Sequence, residues 1–469
     1  MNKHIALVCV VFSLVLSLSA SAQDTHQAET PKQEEPKGMH VESFVKRLTI
    51  SGEFRTRFEF RDPLGYANAV QLEESQDLLH IRVRLNFDVQ VTDHLRGFVQ
   101  IQDQRFAGQE PVSVPASGNP LLPFSTASGD GKNTDVHQAY IEIQDMWDED
   151  LDLRIGRFNM CYGSRRLLCN FDYHPVGNTW DGVHGHYGKD KFWIDGWYTI
   201  VQERNAPVTA GASIEDASDD VDFWGFYSQY QFGTEFAVEG FLFARRAQFD
   251  VPPAGQNPYE DETYGLRIFG KAGGFDYEAE FALQTGTNSP TGLADLDKDA
   301  KGGAAMVGYT FGDLPLRPRL AVEYTYASGD KDPADGNDES FSPPYPGAHI
   351  YNGYADQVAM RNIREWKFIV QAEPFDDTVI QVDYFLFDLD RVEDAWFNFL
   401  QVPIRPGDPT GAASKDLGTE LDLHARWTYD QKLSFWGGLC WFWPGGFVED
   451  TAGTDKSMRW YFLQATLTF

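Results

Sequence analysis

Five charged residues, Glu53, Arg55, Arg57, Glu59 and Arg61, alternate with Phe54, Thr56, Phe58 and Phe60 in the segment SGEFRTRFEFR. Each guanidinium presents planar N–H donors that match a carboxylate, so arginines repeated at every second residue suit ionic recognition of an anion. Side chains of an extended chain alternate between two faces, which puts the charges on one face and the aromatics on the other. The chemistry implied is binding, not bond making. No P-loop, Rossmann glycine pattern, G-x-S-x-G elbow or zinc-enzyme motif occurs, and no nucleophile–His–carboxylate group assembles at a strand end.

The elements that would carry such a ladder recur along the chain. HIRVRLNFDVQV sets Ile81, Val83, Leu85, Phe87, Val89 and Val91 against His80, Arg82, Arg84, Asn86, Asp88 and Gln90. FDYEAEFALQ, RLAVEYTY, VIQVDYFLF and ELDLHARWTY repeat the pattern. Strands that are apolar on one face and charged on the other are expected of a transmembrane β-barrel, with lipid outside and a water-filled lumen inside. An arginine on the lipid face near the midplane would cost about 2–4 kcal/mol, so the charged face is the inner one. By this phase Arg55, Arg57, Arg82, Arg84, Arg154, Arg267, Arg319, Glu323, Lys367, Asp383 and Arg426 are the expected pore-lining, substrate-binding set, with Asp88, Glu365, Glu420 and Asp422 also inward. Acidic rows set against basic ones would hold the arginines and leave donors open to a carboxylate guest, giving a constriction of positive potential. A lumenal ion-pair network without a ligand role is the alternative reading.

Connections alternate in length, as they do when short periplasmic turns and long extracellular loops join antiparallel strands. Short links such as TDH, GKDK, KAGG and YDQK alternate with long ones, among them Asn159 to Thr179, Ser328 to Asn362 and Leu389 to Leu417. The expected fold is all-β, an antiparallel transmembrane barrel of about 18 strands over residues 47–469. Residues 1–22 read as a secretory signal: Lys3, an apolar run shorter than the roughly 20 residues of a membrane helix, then Ala20-Ser21-Ala22. The polar, Pro-containing stretch 23–46 reads as a flexible arm. The last strand, RWYFLQATLTF, ends on an aromatic, the pattern presented to the outer-membrane assembly machinery. A net charge of -31 argues against nucleic acid as a partner. The expected surroundings are the lipid bilayer of the outer membrane, with the chain integral to it.

Three blocks carry a family resemblance. LRIGRFNMCYGSRRLL followed by WDGV, then PRLAVEYTYASGDKDPADGNDESFSPPYPGAHIYNGYAD, and last GTELDLHARW with FWPGGF together resemble the alginate-export family of outer-membrane porins over most of the chain after about Leu48. The resemblance implies an 18-stranded barrel passing anionic polysaccharide or other solutes. Asn178 and His184 stand where the family usually has arginines, and none of the turns here is long enough to be a plug.

The reading is therefore a porin for anionic solutes, with export of an acidic polysaccharide such as alginate as the leading function. The alternatives are a diffusion or uptake porin for small organic anions or oligosaccharides, and a structural or adhesive barrel plugged by its loops. Cys161 and Cys169 are expected to form a disulfide in a long link, since the compartment is oxidising; two separate thiols are the alternative, and Cys440 stays free. His184 and His186 share one strand face and read as pore-lining. No cofactor and no dedicated metal site are expected. Adventitious calcium is possible at the acidic loops around Asp295, Asp297 and Asp299, and around Asp330, Asp332, Asp335, Asp338 and Glu339.

Overall fold

The computed structural model describes residues 47–469 except 64, 67–74, 108–132, 202–220, 234, 248–257, 290–293 and 333. The expected signal peptide (1–22) and arm (23–46) lie outside the described residues, as do the middles of several long links. The barrel strands are β1 (Leu48–Asp62), β2 (Gln76–Gln90), β3 (Leu95–Ala107), β4 (Asn133–Ile143), β5 (Leu151–Phe158), β6 (Trp180–Lys189), β7 (Phe192–Val201), β8 (Val221–Gln231) and β9 (Ala237–Ala247). They continue as β10 (Tyr259–Ala272), β11 (Phe275–Asn288), β12 (Leu296–Thr310), β13 (Arg319–Ala327), β14 (Ile363–Phe375), β15 (Thr378–Leu389), β16 (Asp416–Thr428), β17 (Leu433–Pro444) and β18 (Met458–Thr468).

Each strand pairs antiparallel with its neighbours in sequence, and β18 pairs with β1, closing an 18-strand barrel. Closure leaves no sheet edge, so every strand finds backbone partners without water, as a hydrocarbon solvent demands. Among the described residues no helix is long and apolar enough to cross a membrane. Turns at one end are tight: Ala272 and Phe275 are opposed across Gly273 and Gly274, with φ of 58° and 90°. Two positive φ values match the right-handed twist of the hairpin and favour glycine there. The outer face is apolar, with Phe54, Phe58, Leu266, Phe281, Phe368 and Leu463 exposed on the positions that the alternation assigned to lipid.

The core lies inside the barrel. Segments 159–179 and 340–362 fold into the lumen, and Phe158, Met160, Leu167 and Leu168 pack with the inward residues Trp197, Phe223, Tyr227, Phe241 and Phe243 into one buried cluster. This aromatic lining of β7–β9 departs from a uniformly polar lumen. Its cause is local: the wall there faces protein, not water.

Candidate functional site

Register on the first hairpin sets the problem that the site solves. Glu53 stands opposite Arg84, but Arg55 stands opposite Arg82, so two guanidiniums face each other on one strand pair. Like charges directly opposed are unfavourable. The segment 159–179 relieves them by bringing Asp172 between the strands: its carboxylate accepts from Arg84 Nη1 at 2.5 Å and from Arg82 Nη2 at 3.3 Å, and lies 4.0 Å from Arg55. Burial would raise the Asp172 carboxyl, but Arg82, Arg84 and Arg55 outweigh it and hold it at about 2.

The same guanidiniums take up the loop's carbonyls. Arg55 donates to the carbonyl of Asp172 at 2.8 Å and to those of Tyr173 and His174 at 3.2 Å. Arg57 donates to Tyr173 O at 2.8 Å and lies 3.9 Å over its ring. Arg82 reaches the carbonyls of Asp172 and His174 and is tied back to Glu53 at 2.7 Å, while Arg84 reaches Val176 O and Gln102. Acidic neighbours do hold part of the ladder, Glu53 on Arg82 and Glu59 on Arg57 at 2.6 Å, but the donors expected to stay open to a guest carboxylate are taken by the loop. Arg82 is 1% exposed.

The far end of that loop is fixed to the opposite wall. Arg166 pairs with Glu278 at 2.9 Å and Glu323 at 2.5 Å and lies over the Tyr351 ring. Burial works against its charge, but Glu323, Tyr351 and Glu278 outweigh it and push its pKa up. Ser164 donates to Glu280, and Tyr162 donates to Asp195 at 2.7 Å. Cys161 and Cys169 are joined by a disulfide across this span, and Cys440 is free and buried.

A second inward segment is knitted to the first. Tyr345 N donates to Leu167 O at 3.0 Å, Cys169 N to Tyr345 O at 2.8 Å and Gly347 N to Arg165 O at 2.8 Å, while the rings of Tyr173 and His349 stack at 3.4 Å. Acidic barrel residues hold this segment by its backbone amides, Tyr354 N donating to Asp422 at 3.1 Å and Ala355 N to Glu420 at 2.9 Å, and the Asn352 side-chain Nδ2 donates to Glu365 at 2.7 Å. Lys367 Nζ donates to Ile350 O at 3.2 Å and lies 3.8 Å from Asp383. One strand wall thus grips carbonyls with arginines and another grips amides with carboxylates. Each chemistry matches the backbone group it meets.

The remaining expected residues sit elsewhere on the inner wall. Arg154 pairs with Glu142 at 2.6 Å, Arg267 with Glu239 and Glu278 at 2.6 Å, and Arg319 with Asp276 at 2.5 Å. Arg426 is exposed and lies 4.2 Å over Trp436. A cavity of about 290 Å³ opens beside Arg154, lined also by Glu142, Asp152, Tyr162, His184, His186 and Asp195. There Asp195 receives His184 at 3.2 Å and His186 at 2.5 Å.

Reasoning from strand phase missed Asp172, Tyr173 and His174, because no alternation marks a loop that turns inward. A signal was nonetheless present. Strand β7 carries apolar residues on both faces, Trp193 and Trp197 inward and Phe192, Ile194 and Tyr198 outward. Apolar residues on both faces indicate a strand covered on both, hence protein within the lumen.

Comparison with solved structures gives the barrel's relatives in shape. Pseudomonas aeruginosa OccK9 (OpdG) matches with a TM-score of 0.58 at 16% identity, over 91% of this chain and 100% of that one. OccK5 (OpdH) matches at 0.55 and 12%, over 91% and 99%, and the outer membrane protein OprD at 0.53 and 11%, over 90% and 93%, both from the same organism. Curated protein sequences give no match. The closed barrel resembles these porins, and the protein is integral to the outer membrane. The family described as alginate export matches residues 46–462, nearly the whole length, and the chain belongs to that family.

Proposed function

We propose that this protein is a narrow outer-membrane porin for small acidic carbohydrates, uronates or short oligouronates, and that its arginine ladder selects by holding the constriction instead of binding the solute. The observation that carries this reading is the grip of Arg55, Arg57, Arg82 and Arg84 on Asp172, Tyr173 and His174. The family's description supports an acidic carbohydrate as the solute. Two inward segments hydrogen-bonded to each other support short solutes. Export of intact polymer would require both to withdraw together, breaking ion pairs at both walls.

Planar-bilayer recording tests this. Wild-type protein is expected to show a small single-channel conductance that mono- and diuronates block reversibly and polymeric alginate does not. Arg82→Gln with Arg84→Gln is expected to enlarge the conductance and admit longer oligomers. A large wild-type conductance blocked by polymer and unaffected by the double variant would overturn the reading in favour of an open polymer duct.

A further inference from the structure

Two carboxylates of the inner wall share a buried pocket with a thiol and have no counter-ion. Glu420 and Asp422 alternate with Leu421 on β16 and so point the same way, and Cys440 on β17 stands directly opposite Asp422. Glu420 and Cys440 are 0% exposed and Asp422 is 1% exposed. On the same wall Glu323 pairs with Arg166 at 2.5 Å, and Asp383 lies 3.8 Å from Lys367. Among the described residues no lysine, arginine or histidine pairs with Glu420 or Asp422 in that way.

The inward segment satisfies only half of each carboxylate. Ala355 N donates to Glu420 Oε1 and Tyr354 N to Asp422 Oδ2, whereas Glu420 Oε2 and Asp422 Oδ1 are buried and accept no hydrogen bond among the described residues. An open acceptor on a buried acid calls for a proton, a water or a cation. The third group favours the cation. Cys440 Sγ lies 3.3 Å from Glu420 Oε1, and one donor atom from each of the three side chains falls within 4.8 Å of the others. A sulfur and an oxygen bound to one tetrahedral zinc stand about 3.5 Å apart. Backbone closes over the pocket at Gly353, φ 87°, where a Cβ would fall 2.5 Å from Glu420 Oε1.

We propose that Glu420, Asp422 and Cys440 bind one divalent cation of the zinc class, the thiol and carboxyl groups giving up their protons as it enters. Sulfur with two carboxylates selects the ion: calcium and magnesium take oxygen ligands and more of them, whereas zinc accepts thiolate and carboxylate together in a set of four. The amides of Tyr354 and Ala355 lie behind the ligands and orient them, as partners of metal-bound carboxylates do. The ion therefore ties the second inward segment to β16 and β17, whichever solute the lumen passes.

The test folds the whole barrel from denaturant into detergent micelles with Zn2+ or Co2+ and removes loose ion by gel filtration. One ion per chain is expected by elemental analysis. The cobalt form is expected to show thiolate-to-cobalt charge transfer, which among the described residues Cys440 alone can supply, because Cys161 and Cys169 are bonded to each other. C440S is expected to abolish that band, and C440S and E420Q each to weaken zinc retention against a chelator at least about ten-fold. Wild-type protein that retains less than a stoichiometric ion overturns the proposal and leaves the open oxygens to protons or water. Zinc retained without the cobalt–thiolate band also overturns it, placing the ion elsewhere, and so does undiminished retention by C440S. Should E420Q lose heat-modifiable folding, the wild-type cobalt spectrum and C440S, which exchanges one atom, decide alone.

Discussion

Arg84 and Asp172 meet at 2.5 Å across 88 residues of sequence, one on the barrel wall and the other at the inner point of a loop. A charge-assisted bond of this kind contributes about 1.5–3 kcal/mol, enough to shift the docked-to-undocked ratio of the loop by ten-fold or more. Arg84→Gln or Asp172→Asn is therefore expected to add long-lived, higher-conductance openings to single-channel records while leaving heat-modifiable barrel assembly intact. Unchanged dwell times in both variants would show that the loop is held elsewhere.

Acid is expected to loosen the knot at its histidines before it reaches Asp172. Burial holds His349 below the ordinary histidine range despite Asp356, and it holds His174 well below, with Arg57 adding to the effect. His349 Nδ1 already faces Asp356 at 2.7 Å, and its Nε2 has no hydrogen-bond partner among the described residues, so a second proton would arrive without an acceptor. A base whose folded pKa is depressed favours the docked form above its ordinary pKa of about 6.5. That contribution falls away as the pH drops below this value. Asp172 has the opposite charge type: its depressed pKa supports the docked form above about 4, and that support is lost only as the pH falls toward 2. Conductance should rise between pH 7 and 5, and His349→Gln should flatten that rise.

The Cys161–Cys169 bridge spans a sequence separation of 8 between two anchors of the first segment. Chain entropy gives a closed loop of this size about 2.5 kcal/mol. The unreduced protein should yield a cross-linked peptide containing both cysteines, and Cys161→Ser with Cys169→Ser should increase current noise without abolishing insertion. Alkylation of both thiols before reduction would rule the bridge out.

On the outside, Leu266 is 61% exposed near the middle of β10. Leu266→Arg should cost about 2–4 kcal/mol in denaturant unfolding from lipid vesicles, the amount for a cation at the bilayer midplane. A negligible loss would place this strand's centre away from the hydrocarbon.

Much of the barrel was legible because its physics is periodic. Lipid on one side imposes alternation on β1, β2, β11 and β16, and a hydrocarbon solvent forbids open edges, so phase and turn length suffice to recover strands and closure. The grip on the loop was not legible in that way. Whether Arg82 faces water or a carbonyl depends on where residue 172 goes, and a loop's path follows from contacts distant in sequence, not from any local repeat. The ladder's inward phase was readable, but its partner was not. Trp193 and Trp197 were the exception, since an aromatic pointing inward already indicates that something covers it.

The seam between the first and last strands bears on biogenesis. Gly52 N donates to Phe469 O at 2.8 Å and Phe469 N to Gly52 O at 3.1 Å, and the Phe469 ring lies where a Cβ on Gly52 would fall. Phe469 is thus a structural partner of the first strand. Circularisation must wait until Phe469 has arrived, and the arginine-bearing hairpin cannot be walled off from its loop before then. A bulky group placed directly after Phe469 would have to leave through this junction and would compete with closure.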